Sequence, residues 1–299
     1  MKVLIAGGSG LLGKKLSDIL ITQGHEVAWL SRQKSKHAAT IRLFHWNPDK
    51  YFIEPEAINW AEALINLAGA SIGETKWTRS GKEEILRSRT KSVETLTNCF
   101  SKRPEPLEAF CGISGAGYYG KGDFAFKEAD SPGLDFPARV AKEWEDCYLE
   151  FQSQCKPKHF SIIRMAVVLS LEGGALPKII QPIRLGIGSD LGNGKQPFNW
   201  IHITDACSIL CESLLWDGIF NASAPEKTNN HTLTNSIASI LQKPIILPAV
   251  PAFALKLVLG ERATLVLEGN HSDVSKLIKQ SFKFSYPDLN SALIQILST

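Results

Sequence analysis

Four apolar residues in a row, Val3 to Ala6, open the chain, and short runs of the same kind return at Glu26–Leu30, Ile41–Phe44, Ala63–Leu67, Ala109–Ile113 and Phe160–Met165. Between them lie longer stretches of helical periodicity. Leu11 to Gln23 is closed by Gly24, Ser80 to Phe100 runs up to Pro104 and Pro106, and Phe136 to Gln154 sets Trp144 and Tyr148 four apart. Alternation of strand-like and helix-like segments predicts βαβ units and hence a parallel sheet in an α/β fold. After residue 170 the pattern loosens into LEGGALPK, GIGSDLGNGKQPFNW and NASAPEKTNNHTL, where glycine, proline and asparagine separate short apolar runs. We read 170–202 as a loop that covers a site. A helix over Thr204–Trp216 and a strand over Ile219–Ala222 then return to the main sheet. These segments divide the chain into a large unit, 1–225, and a small, mainly helical C-terminal lobe, 226–299.

Gly7, Gly10 and Gly13 follow the first strand at once and open the first helix. In that context the first glycine permits a tight turn, the second lets a pyrophosphate approach the backbone, and the third lets helix and strand pack closely. The helix N-terminus favours the anion. The fold expected is therefore a Rossmann-type doubly wound sheet binding a dinucleotide through Gly7, Ser9, Gly10, Leu11, Leu12 and Gly13. The second strand ends Trp29-Leu30-Ser31-Arg32-Gln33-Lys34, with no Asp or Glu to accept from a ribose hydroxyl. Arg32, helped by Ser31, offers paired donors for a 2′-phosphate, so NADP (NADPH) is expected rather than NAD. Lys34 and Lys36 read more simply as a solvated basic loop. At the end of the fourth strand Asn66, Leu67, Ala68 and Gly69 combine small residues that can pass beside a cofactor ribose, where carboxyl ends of strands bind ligands.

Composition narrows the partners. With 299 residues, 44% apolar and 21% charged, the chain can bury a sizeable core, and 33 basic against 30 acidic side chains leave only +3. That surplus excludes a dedicated nucleic-acid binder and leaves a small-molecule substrate. MKVLIAGGSG lacks the features of a signal peptide, and the apolar stretch 245–260 is interrupted by prolines and Lys256, so neither export nor a membrane span is expected. Six cysteines without a CxxC pair point to reduced thiols in the cytoplasm, and Cys207 and Cys211 to packing rather than metal.

INLAGASIGETKWT, RSRT, SGAGYYG, EADSP, Trp144-Glu145, RMAVVLS, GGALPK, RLGIGSDLGNGKQPFNWIHITD and SFKFSYPDLNSAL occur in order over essentially the whole chain. In them the chain resembles the extended short-chain dehydrogenases/reductases, and within these the atypical epimerase-like subgroup with a C-terminal domain of unknown function. The resemblance implies an NADP-dependent oxidoreductase, adds Arg164 and Ala166 to the cofactor site, and lays 184–205 over the nicotinamide end. Arg184, Gln196, Trp200 and His202 then become candidates for the substrate wall, with Arg89 opposite. His202 also reads as the polar face of a short strand, and Asp205 as a helix N-cap.

The superfamily's usual proton relay is a Tyr with a Lys four residues on. Tyr51, Tyr118, Tyr119, Tyr148 and Tyr286 are followed at that spacing by Pro55, Gly122, Asp123, Gln152 and Asn290. By distance from YYG the pair falls near Phe136 and Val140, which exchange no proton. The catalytic candidates are Ser114, Tyr118 and Tyr119, with Lys121 or Lys142 to lower a tyrosine pKa; aromatic packing is the competing role of both tyrosines. Two readings stand: an NADP(H)-dependent oxidoreductase or epimerase-like enzyme with a different proton donor, or a catalytically silent NADP(H)-binding regulator or scaffold. By analogy, the helices 80–100 and 136–154 are candidates to pair in a homodimer.

Overall fold

The computed structural model describes residues 1–32 and 41–298. In chain order the first half runs β1 (Lys2–Ala6), α1 (Leu11–Thr22), β2 (Glu26–Ser31), β3 (Arg42–Asn47), β4 (Phe52–Ile53), α2 (Pro55–Trp60), β5 (Ala63–Asn66), α3 (Arg79–Phe100), β6 (Ala109–Gly115), β7 (Ala125–Phe126) and α4 (Phe136–Cys155). The rest is β8 (His159–Met165), β9 (Val167–Leu169), α5 (Leu176–Arg184), β10 (Trp200–His202), α6 (Ile203–Glu212), β11 (Gly218–Ala222), α7 (Asn230–Ile240), α8 (Ala252–Leu259), α9 (Thr264–Leu267), β12 (His271–Ser272), α10 (Ser275–Lys279) and α11 (Leu289–Leu297).

Among the described residues the main sheet has eight strands in the order β11-β8-β6-β5-β1-β2-β3-β4, parallel except for the β3–β4 pair. The strand order reverses beside β1, which lies between β2 and β5 and so opens the crevice in which such folds bind ligands. Helices cover both faces. Val3 and Ile5 pack in one core with Leu16 and Leu20 of α1 and Ile209 of α6, while Leu4 and Ala6 pack in another with Val93 of α3 and Tyr148 of α4. Burial on both sides is why the strands are continuous apolar runs rather than alternating ones.

The elements expected from the pattern are present, with two differences. The short antiparallel edge β4 and helix α2 carry no long periodic signal; Tyr51 in the left-handed region (φ 49°) reverses the chain into β4. The segment expected to be a covering loop contains α5, started by Pro177 in its first turn. A third core joins Leu169, Leu176 and Trp200 to Leu233, Ile237, Leu289 and Leu293, so the chain after residue 169 packs with the C-terminal helices. No described helix is long and apolar enough to cross a membrane.

Candidate active site

The glycine turn is built by close approach. Gly7 has φ +85°, and a Cβ there would stand 2.9 Å from the carbonyl carbon of Leu67, so β1 turns directly against the end of β5. Gly10 precedes α1, its N–H donates to Gly7 O at 3.1 Å, and no side chain caps the helix. A Cβ on Gly13 would meet Gly8 O at 2.4 Å. Backbone donors at an uncapped helix start, without an acidic residue in the first turn, fit a pyrophosphate. Ser9 is exposed, Leu11 and Leu12 are half-buried, and the side chain of Leu11 lies next to Gly173 and Gly174. Ser31 is half-buried and Arg32 exposed, immediately after β2 and thus next to this turn in the sheet. Lys34 and Lys36 lie outside the described residues.

Asn66 is fully buried: its Nδ2 donates to Tyr148 Oη at 3.1 Å and its Oδ1 accepts from Ala68 N at 3.2 Å. It therefore fixes the turn after β5 from behind, while Leu67 and Gly69 form wall. A cavity of about 440 Å³ opens there, between the carboxyl ends of β5, β6 and β8 and the segments 197–199 and 264–270. Leu67, Gly69, Arg89, Ser114, Trp144 and Ala166 are among its lining residues.

Ser114 is the meeting point between this cavity and a buried polar layer. Its Oγ donates to Glu145 Oε1 at 2.7 Å, and Arg164 donates to the same carboxylate through Nε at 2.9 Å and Nη2 at 2.8 Å. Arg164 Nη1 donates to Tyr119 Oη at 2.9 Å, which in turn donates to Asn221 Oδ1 at 2.6 Å. The guanidinium lies 3.4 Å over the ring of Tyr118. Ser114, Glu145 and Arg164 are 3%, 4% and 2% exposed, so the ion pair persists only because each partner satisfies the other. Burial works against the Arg164 charge, but the Glu145 carboxylate outweighs it and raises the pKa; burial also pushes the Tyr119 hydroxyl up to about 12.

This layer takes up several of the candidate residues. Arg164 faces Glu145 beneath the cavity rather than a cofactor, and Tyr119 is engaged on both sides of its hydroxyl. Tyr118 supplies a ring to Arg164. On the substrate side, Arg184 is exposed at the end of α5, and Gln196 Nε2 ties Leu191 O and Val266 O together. Trp200 is buried, donating to Thr228 Oγ1 at 3.3 Å. His202 caps α6: Nδ1 accepts from Thr204 N, Nε2 faces Gln295 Oε1 at 2.8 Å, and the ring stacks on Tyr286 at 3.9 Å. Asp205 is the third residue of that helix, within its first turn, accepting from the N–H groups of Ser285 and Tyr286. Gln196, Trp200, His202 and Asp205 thus hold the chain after residue 225, and neither they nor Arg184 are among the cavity's lining residues.

What sequence reasoning overlooked are the polar groups brought to the cavity from distant segments. Asn199 donates to Ser272 Oγ at 2.8 Å, and Asn270 donates to Ala116 O and Gly120 O at 3.0 and 2.6 Å. Asp135 caps α4 by accepting from Ala138 N at 2.8 Å, and burial, reinforced by Glu268, raises its carboxyl above the usual range. Glu268 pairs with Lys121 at 3.3 Å. The uncompleted EGN and LDFP segments carried no motif that could have singled them out. The cavity face of α4 consists of Pro137, Val140, Ala141 and Trp144.

Residues 3–223 match the model of the NAD dependent epimerase/dehydratase family, and residues 250–296 match a domain of unknown function, DUF1731. An epimerase family protein SDR39U1 from Bos taurus is 31% identical over 100% of both chains, and its chloroplastic homologue from Arabidopsis thaliana is 32% identical over 99% of this chain and 87% of its own. The crystal structure of human epimerase family protein SDR39U1 (isoform 2) with NADPH superposes with a TM-score of 0.87 at 27% identity, covering 100% of each chain. A UDP-glucuronic acid 4-epimerase from Bacillus cereus, at 0.80 and 14%, shares the fold.

Proposed function

Because the chain belongs to the NAD dependent epimerase/dehydratase family, we propose that it is an NADP(H)-dependent oxidoreductase or epimerase-like enzyme acting on a small molecule. The observation that carries this is the cavity of about 440 Å³ at the carboxyl ends of β5, β6 and β8, continuous through Leu67 with the glycine turn. Gly7, Gly10, Gly13 and the start of α1 would hold the pyrophosphate, Arg32 with Ser31 the 2′-phosphate, and Leu67, Ala68 and Gly69 the ribose side. The NADPH-bound human relative supports that choice of nucleotide. When bound, the cofactor supplies hydride exchange.

The chain's own part is to orient the substrate and to handle a proton. Ser114 Oγ donates its hydrogen bond to Glu145 and lines the cavity, where it would accept from a substrate. Where the superfamily has its Tyr-Lys pair, α4 offers Pro137, Val140, Ala141 and Trp144, none able to exchange a proton. The group of the wall best suited to that task is Asp135: Oδ1 is occupied by the cap, Oδ2 is left, and the raised pKa keeps the acid form to higher pH. Asp135→Asn preserves the cap, because an amide oxygen accepts the same bond, but it should lower turnover and remove the fall in rate as pH rises through the Asp135 pKa, the alkaline limb of the pH–rate profile. The silent-binder reading is favoured by one observation, that Ser114 and Tyr119 both commit their protons inside the protein.

Fluorescence titration with NADPH and NADH, followed by turnover over aldehydes, ketones and nucleotide sugars, tests the proposal. Tighter NADPH binding that Arg32→Ala reduces to parity, together with turnover of at least one class, is the expected result. Equal affinities in the wild type overturn the nucleotide assignment; tight binding without turnover favours the silent binder.

A further inference from the structure

Arg89 stands in the cavity wall without an acidic partner. It lies on α3, and Nη1 donates to Ala70 O and Ile85 O, both at 2.9 Å. Nε and Nη2 meet no acceptor among the described residues. No carboxylate forms an ion pair with it there, unlike Arg164, and the undescribed stretch 33–40, QKSKHAAT, contains no acid. Burial holds the guanidinium down at about 10, with only Tyr148 acting the other way and no carboxylate raising it. A fixed and desolvated cation of this kind is costly unless a counter-charge arrives.

The surroundings hold that guanidinium in place. Its Cζ lies 4.8 Å over the ring of Trp144, and a Cβ on Gly69 would stand 3.2 Å from both Cγ and Cζ of Arg89. Gly69 is thus the residue that leaves room for this side chain. The indole Nε1 of Trp144, 6% exposed, is a second donor at the same wall that meets no acceptor. Of the cavity's acidic residues, Glu268 pairs with Lys121 and Asp135 caps α4 through Oδ1, and neither forms an ion pair with Arg89.

We propose that Arg89 is the anion-recognition residue of the cavity, so that the substrate carries a compact oxyanion, a carboxylate or a phosphate, which the fork of Nε and Nη2 binds. Paired donors in one plane match the two oxygens of such a group. The inference rests on the reading of this cavity as the substrate site.

The test titrates the full chain, with and without saturating NADPH, with inorganic phosphate and separately with acetate, against chloride at equal ionic strength, read by calorimetry. NADPH fills the glycine turn, so phosphate that binds in its presence binds elsewhere. Saturable binding of one probe, weakened tenfold or more in Arg89→Gln and partly restored in Arg89→Lys, is expected, and the probe that binds tells carboxylate from phosphate. If Arg89→Gln does not fold, Trp144→Phe is compared with wild type and should weaken the same probe. No saturable binding, equal binding in the variants, or a loss confined to NADPH affinity overturns the proposal. A wild type that fails to bind NADPH removes the cofactor reading, while the anion difference measured without nucleotide still decides this one.

Discussion

The two polar regions of this protein are made in opposite ways. The glycine turn between β1 and α1 uses backbone donors and missing side chains from seven consecutive positions, Gly7 to Gly13. The layer under the cavity uses side chains of Ser114, Tyr119, Glu145, Arg164 and Asn221, spread over β6, the turn after it, α4, β8 and β11. The first is a local structure that a short sequence specifies. The second exists only when these five segments of the fold meet, and its ionic members depend on one another for solvation that water no longer provides.

That contrast can be broken most directly at Glu145. Glu145→Leu leaves Arg164 charged and unpaired in the interior, and we expect a loss of about 3–5 kcal/mol in urea unfolding. Combining it with Arg164→Met removes the stranded charge, so the double variant should be more stable than the single one. Additive losses would show that the two side chains do not act as a unit. The glycine turn should respond the other way. Gly13→Ala places a methyl group 2.4 Å from Gly8 O; overpacking of this kind costs about 1–3 kcal/mol, but its main expected effect is a tenfold or greater loss of NADPH affinity. The double variant at Glu145 and Arg164 should keep that affinity nearly unchanged. Normal NADPH binding by Gly13→Ala would remove the distinction between the regions.

The smallest expected effect concerns the clamp at His202. Burial lowers its pKa from 6.5, so the unfolded chain binds the proton more readily. Stability from the neutral ring is present above pH 6.5 and is lost as pH falls through 6.5 toward the folded value. His202→Asn, which can still cap α6, should flatten the decline in melting temperature between pH 7 and 5. The decline that remains belongs to His25 and His271, whose pKa values are also lowered by burial. An unchanged slope would show that protonation of His202 is not opposed by the fold.

The WIHITD segment shows what sequence reading leaves out. Trp200 and His202 look like ligand residues because they are polar or aromatic and follow a glycine-rich loop, and Asp205 reads as a helix N-cap. Their partners, Thr228, Gln295 and the backbone at 285 and 286, are 28, 93 and 80 or 81 positions away. Nothing near them in the chain announces a clamp. Cys207 and Cys211, in contrast, lie in the core where an apolar helix face places them.

The main parallel strands, the long helices and the glycine turn follow from the order of residues alone, because periodicity, caps and missing Cβ atoms act between near neighbours. The absence of any Tyr with a Lys four residues on is likewise written in the chain. Which arginine is neutralised and which faces a cavity was decided only by tertiary structure. Arg164 and Arg89 are the same residue type, each beside a sheet end, and the difference is that folding brings Glu145 to one and, among the described residues, no carboxylate to the other. Charge compensation in the interior acts through space, so the sequence holds both arginines but not their fates.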